Sequence, residues 1–196
     1  MSKENEKNEK DLKTIDDYYA LPDDERVELI NGRFYAMNNS TVIHQAWLGK
    51  LCFELAEYVE KNEDLRCRCL PLCVVRLDCD NYTALQPDVM ICCKRDRIME
   101  KWIEGAPDFV LEVVSSGSVY LDYHKKLAKY CSAGVREYWI VDPQKETVTV
   151  YHFEKSGEPV YYTFADKAPV GIYGGECQID FAKLRKKLSY LDEKRR

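Results

Sequence analysis

The chain reads as a mixed α/β domain whose core runs helix, strand, strand, strand, helix, strand. A β-hairpin precedes that core and an antiparallel extension follows it. Three observations predict this class. Trp47, Leu48, Leu51, Leu55 and Val59 recur at helical spacing. Phe109-Val110-Leu111 is continuously apolar, as in a central strand covered on both faces. A second helical stretch, about Val119 to Ala133, then stops at Gly134 and gives way to the apolar run Tyr138 to Val141.

The elements follow in order. Thr14 to Ala20 predicts a short helix, closed by the turn Leu21-Pro22-Asp23-Asp24. Val27 to Met37 reads VELINGRFYAM. Asn31-Gly32 between two apolar runs is the strongest short hairpin signal, since both residues tolerate positive φ. Glu28 falls on the first strand of that hairpin. Ser40 or Thr41 caps a helix reaching about Asn62. Strands are predicted at about Arg68 to Leu77, Asp88 to Cys93 and Phe109 to Val114. Beyond Asp142-Pro143, Thr147 to Phe153 and Val160 to Phe164 alternate as antiparallel strands, and Phe181 to Leu191 is a basic amphipathic helix.

Totals bound the answer. The 196 residues, 45% of them hydrophobic, suffice for one domain with a substantial core. We expect residues 1–13, polar and charged, to be a disordered start, and residues 14–196 to form one domain. No apolar run is long enough to span a membrane, and no signal-peptide core stands at the N-terminus. The expectation is a cytoplasmic protein. Nine cysteines, an odd count with Cys92 and Cys93 adjacent, make a poor disulfide framework and fit a reducing compartment. Cys67, Cys69 and Cys73 have no common zinc spacing, so they read as ordinary small residues. The net charge of -5 argues against a strongly basic nucleic-acid binder, though local basic patches are compatible with it.

The candidate chemistry lies between Ala84 and Pro143. Asp88 follows Pro87, whose missing amide marks a strand start or edge, so the Asp88 carboxylate is expected outside the packed core; Pro-Asp is also an ordinary turn. Glu112 stands between Leu111 and Val113. Either it is a buried carboxylate, costly without a partner, or it points to the solvated side of an alternating strand. Asp122 and Lys126, four apart, share a helix face, as in many exposed ion pairs. Spacing alone does not choose among Lys125, Lys126 and Lys129. His44 sits on the apolar helix, where a hydrogen-bonded core role is the usual one. No nucleophile elbow surrounds Ser115-Ser116, and no Walker loop or dinucleotide fingerprint is present.

These segments carry a resemblance. VELINGRFYAM, His44, QPDV, PDFVLEVVS, the D-x-x-x-K-L-x-x-Y pattern from Asp122, and GVREYWIVDP resemble the Uma2 family (DUF820), a bacterial group of restriction-endonuclease-like proteins. The match runs from about Glu28 to Pro143. That family is similar to the PD-(D/E)xK nuclease superfamily, whose αβββαβ core agrees with the element order above. The resemblance implies a restriction endonuclease-like fold with a mixed central sheet. It implies Asp88 as the aspartate of the PD motif and Glu112 as the next acidic residue. The superfamily lysine expected two residues on is Val114 here; the Uma2 pattern moves it to the following helix, at Lys126. Glu28 matches a further acidic position. The implied activity is Mg²⁺-dependent hydrolysis of phosphodiester bonds in DNA by an endonuclease. Asp88 and Glu112 would be the metal ligands, Mn²⁺ is a possible substitute, duplex DNA is the substrate, and a homodimer is possible. The alternative is a non-catalytic DNA-binding or scaffold protein that keeps the fold.

Overall fold

A computed structural model describes residues 12–191, apart from residues 23, 38, 78 and 79. Of the segment expected to be disordered, residues 1–11 lie outside the described residues. The Lys13 N–H donates to the Gly32 carbonyl at 2.9 Å.

Helix α1 (Ile15–Tyr19) starts with a reciprocal cap. The Asp17 N–H donates to the Thr14 hydroxyl, and the Thr14 N–H donates to the Asp17 carboxylate. Strands β1 (Val27–Ile30) and β2 (Arg33–Ala36) form the hairpin. Its turn places Asn31 at φ 50° and Gly32 at φ 71°, the two positive values a type I′ turn requires. Thr41 caps α2 (Val42–Lys61) by accepting the His44 N–H.

The expected strand Arg68 to Leu77 divides into β3 (Arg68–Pro71) and β4 (Val75–Arg76). Leu72 adopts φ 53°, which no strand residue can, and the chain passes there from one sheet to another. β5 (Ala84–Leu85), β6 (Val89–Cys92), β7 (Ile103–Glu104) and β8 (Phe109–Val113) follow. The second helix is not uniform. It begins at Val119, winds as a π-helix over Leu121–Lys126, and returns to α geometry as α3 (Leu127–Ala133). Gly134 ends it at φ 86°. β9 (Glu137–Asp142), β10 (Thr147–His152) and β11 (Pro159–Thr163) form the antiparallel extension. β12 (Lys167–Pro169), β13 (Gln178–Asp180) and α4 (Phe181–Lys187) close the described chain.

The six-stranded sheet has the order β11-β10-β9-β8-β6-β3. β8 and β9 pair in parallel and the other neighbours pair antiparallel, so the sheet is mixed. A second sheet, β2-β1-β5-β4-β7, carries the hairpin. The helix–strand–strand–strand–helix–strand core is α2, β6, β8, α3 and β9 together with β3. Period-2 alternation divides its packing. Ile91, Phe109, Leu111 and Trp139 join Trp47, Leu51 and Leu55 of α2 on one face. Met90, Val110, Tyr138 and Ile140 join Tyr130 and Val135 on the other, with Ile30 of the hairpin. Glu112 is two residues from Val110 and so projects toward the hairpin and the π turn.

Contrary to the cysteine reading, Cys67 and Cys93 form a disulfide. The cause is register. β3 and β6 pair Arg68 with Cys92, and one further step sets Cys67 directly opposite Cys93.

Candidate functional site

Four separate elements deliver charged side chains to one buried pocket of about 80 Å³. β1 brings Glu28, the residue before β6 brings Asp88, β8 brings Glu112, and the π turn brings Asp122 and Lys126. The register Val89↔Leu111 and Met90↔Val110, continued by one residue, sets Asp88 opposite Glu112. The Asp88 N–H faces a Glu112 oxygen at 3.4 Å. Asp88 is therefore not displaced outside the core as its place after Pro87 suggests. It is buried, because the strand end is covered by the start of α2 and by the loop after β8. Glu112, Glu28, Asp122 and Lys126 are buried as well.

Lys126 is the centre of the arrangement. Its Nζ lies 3.0 Å from Glu28 Oε1, 3.0 Å from Glu112 Oε1 and 3.6 Å from Asp122 Oδ1. Lys125 and Lys129 do neither. Lys125 lies over the Tyr35 ring, and Lys129 pairs with Asp80. The structure thus separates three lysines that spacing left equivalent. The Asp122, Lys126, Tyr130 stripe all turns inward: the Tyr130 hydroxyl donates to Glu112 Oε1 at 2.9 Å. Glu28 Oε1 also accepts the Gln86 N–H at 2.9 Å, which fixes the chain just before Pro87 and Asp88.

His44 joins the site through Asp88. Its Nε2 lies 3.1 Å from Asp88 Oδ2, which also accepts the Val113 N–H at 2.7 Å. His44 stands on an apolar helix, but its ring reaches a site carboxylate rather than the core. The sequence flagged the histidine without its partner; Asp88 is too far along the chain for any local signal.

Electrostatics follow from four buried acids around one ammonium. Burial pushes the Glu112 carboxyl well above the usual carboxylate range, while the Lys126 charge pulls it down. Burial likewise pushes Asp122 up to about 6, again opposed by Lys126. Burial would lower Lys126, but the charges of Glu112, Glu28 and Asp122 reverse this and hold it well above its ordinary value. Burial also works against protonation of His44, and its bond to Asp88 overcomes that, so its pKa is raised. Burial thus favours the protonated carboxyls of Glu112 and Asp122, while the carboxylates favour the protonated forms of Lys126 and His44.

Among the described residues, no group of three or more His, Cys, Asp and Glu side chains has a geometry able to hold a metal ion. The donor types nevertheless fit a hard cation that keeps most of its own waters and takes one or two carboxylates. Asp88 Oδ2 receives both donors to that residue, and Oδ1 takes none among the described residues. Asp122 Oδ1 is buried without a hydrogen-bond partner. The Lys126 ammonium already demonstrates that the pocket accommodates positive charge.

The family model described as "Putative restriction endonuclease", Uma2, matches residues 15–170. Among solved structures, the fold is similar to a crystal structure from Anabaena variabilis ATCC 29413, titled as that of a putative nuclease belonging to DUF820. The TM-score is 0.73 at 19% sequence identity, covering 87% of this chain and 96% of that one. Among curated proteins there is no match. A family match over that span, on a chain with this fold, has one consequence: the protein belongs to the Uma2 family.

Proposed function

We propose that the protein is a Mg²⁺-dependent endonuclease hydrolysing phosphodiester bonds in DNA, with Mn²⁺ as a competent substitute. The observation that carries this reading is the meeting of Glu28 and Glu112, each 3.0 Å from the Lys126 ammonium, beside Asp88. Such a buried ion cluster is costly to build and contributes little stability over apolar packing, so chemistry is the better reason for it. The family's description as a restriction endonuclease supports the same reading.

Asp88 and Glu112 are the residues that would hold the cation. When bound, it polarises a phosphate oxygen and lowers the pKa of a coordinated water. Lys126 stabilises the negative charge that develops on the phosphate. Glu28 orients Lys126 and, through the Gln86 amide, the segment carrying Asp88. Tyr130 and Lys126 both hold Glu112 Oε1, and Oε2 takes the long 3.4 Å contact from the Asp88 N–H. His44 fixes the Asp88 carboxylate.

A second reading is also based on Lys126. Because the ammonium already neutralises part of the acidic charge, the cluster could serve a non-catalytic DNA-binding or scaffold protein. Plasmid nicking decides between them. Supercoiled DNA is incubated with Mg²⁺, with Mn²⁺ and with EDTA. Metal-dependent conversion to open circle is expected for wild type and absent for Glu112→Gln. No conversion with either metal overturns the endonuclease.

A further inference from the structure

Outside the pocket lining, beside the hairpin strand that carries Glu28, stands a side-chain cluster that the proposed chemistry does not use. Tyr35 is the cross-strand partner of Glu28 in the hairpin, and such partners project from one face. Tyr35 therefore rises beside the acidic pocket. Tyr120 immediately precedes the π turn, and His124 and Lys125 lie within it. The Tyr120 and His124 rings are 5.0 Å apart, and the Lys125 ammonium lies 5.3 Å from the Tyr35 ring and 5.9 Å from that of Tyr120.

Tyr120 is 63% exposed, so most of its ring is left to water. Tyr35 shares a hairpin face with Glu28, and Lys125 links the π-turn rings to Tyr35. The π turn itself is a form of helix found mostly as short interruptions at functional sites.

Aromatic rings joined to a cation suit one ligand chemistry well. An unpaired nucleobase stacks on an aromatic face, and the adjoining phosphate meets the lysine. A base-paired duplex keeps its base faces stacked internally and offers only groove edges and phosphates. We propose that Tyr120, His124, Lys125 and Tyr35 form a stacking platform for an unpaired base beside the scissile phosphate. The substrate is then a single-stranded or locally unpaired nucleic-acid segment. This inference rests on the nuclease reading for its site and refines it for the substrate.

The test is equilibrium binding of fluorescent oligo(dT), oligo(rU) and a hairpin duplex, in Ca²⁺ without Mg²⁺, by anisotropy. The wild type binds a single strand at least tenfold more tightly than the duplex. Tyr120→Ala weakens single-strand binding roughly tenfold, as loss of one stacked base predicts. Tyr120→Phe, which keeps the ring, retains it. Tyr161→Ala, another exposed tyrosine on β11, leaves binding unchanged. Tight binding of either oligo(dT) or oligo(rU) supports the platform. Duplex binding equal to single-strand binding overturns it, as does a Tyr120→Ala protein that binds like wild type. Cleavage of the same oligonucleotides and of plasmid with Mg²⁺, measured separately, distinguishes the two failures. Cleavage with Tyr120-independent binding removes the platform alone. Tyr120-dependent binding without cleavage of either oligonucleotide or of plasmid removes the nuclease reading and leaves the platform.

Discussion

Lys126 Nζ and Glu112 Oε1 lie 3.0 Å apart, both almost wholly shielded from water. Neither charge is tolerable there alone. Lys126→Met removes the ammonium and leaves Glu28, Glu112 and Asp122 facing one another. Breaking a buried pair in this way costs about 3–5 kcal/mol, and some of that is recovered as the carboxyls take up protons. The expected result is a clear drop in Tm at neutral pH that lessens as pH falls toward 5. A Tm equal to wild type at neutral pH would mean that Lys126 is not the counter-charge of these acids.

A divalent cation acts in the same direction as that ammonium. It relieves repulsion between Asp88 and Glu112 in the folded state and has no such site in the unfolded one. At about a hundredfold excess over Kd the gain is ~2.7 kcal/mol, or roughly 5 °C or more in Tm for a chain of this size. Differential scanning fluorimetry with Mg²⁺ and Mn²⁺ should show this rise, and Asp88→Asn should blunt it. Equal rises in wild type and Asp88→Asn would exclude binding at that carboxylate.

Much of this site was legible in the chain, for reasons particular residues make plain. The hairpin followed from Asn31-Gly32, whose turn needs two positive φ values. α2 followed from Trp47, Leu51 and Leu55, all of which are buried. Glu112 is a different case. Its apolar neighbours suggest burial, but burial alone does not mark a site: Glu137 on β9, between Arg136 and Tyr138, is buried for another purpose. Glu137 accepts the Trp139 indole N–H and the Ile172 N–H and stays away from the pocket. Periodicity cannot distinguish a carboxylate satisfied by donors from one facing a cavity; the family motifs supply that distinction. The disulfide, the His44–Asp88 contact and the break at Leu72 were not legible. All three depend on which strands become neighbours, and nothing local encodes that.

Asp122 gives a pH signature. Its folded pKa is about 6 against 3.8 for the free side chain, with burial as the largest cause. A raised folded pKa means that the native state holds the proton more tightly. The associated stability is fully present below about 3.8 and is lost as pH rises through about 6. Asp122→Asn removes that loss. The metal-free variant should therefore melt above wild type at pH 7–8, and its advantage should shrink as pH falls from 6 toward 4. A difference in Tm that stays constant across this range would show that Asp122 does not titrate there.

The three lysines of the second helix give the sharpest test of mechanism, since the structure assigns each a different environment. Lys126 faces the carboxylates, Lys125 lies over Tyr35, and Lys129 pairs with Asp80. If Lys126 stabilises charge in the transition state, Lys126→Ala lowers single-turnover cleavage by roughly 10²-fold or more at saturating Mg²⁺. Lys125→Ala should leave that rate nearly intact and weaken binding instead. A lost phosphate contact lowers the salt dependence of binding by about one unit of slope. Lys129→Ala should change neither, because its partner is structural. The assay compares cleavage rates with enzyme in excess, under conditions where circular dichroism shows each variant folded. Full activity in Lys126→Ala with loss in Lys125→Ala would transfer the catalytic role to Lys125. Equal rates in all three variants would take the helix lysines out of the chemistry altogether.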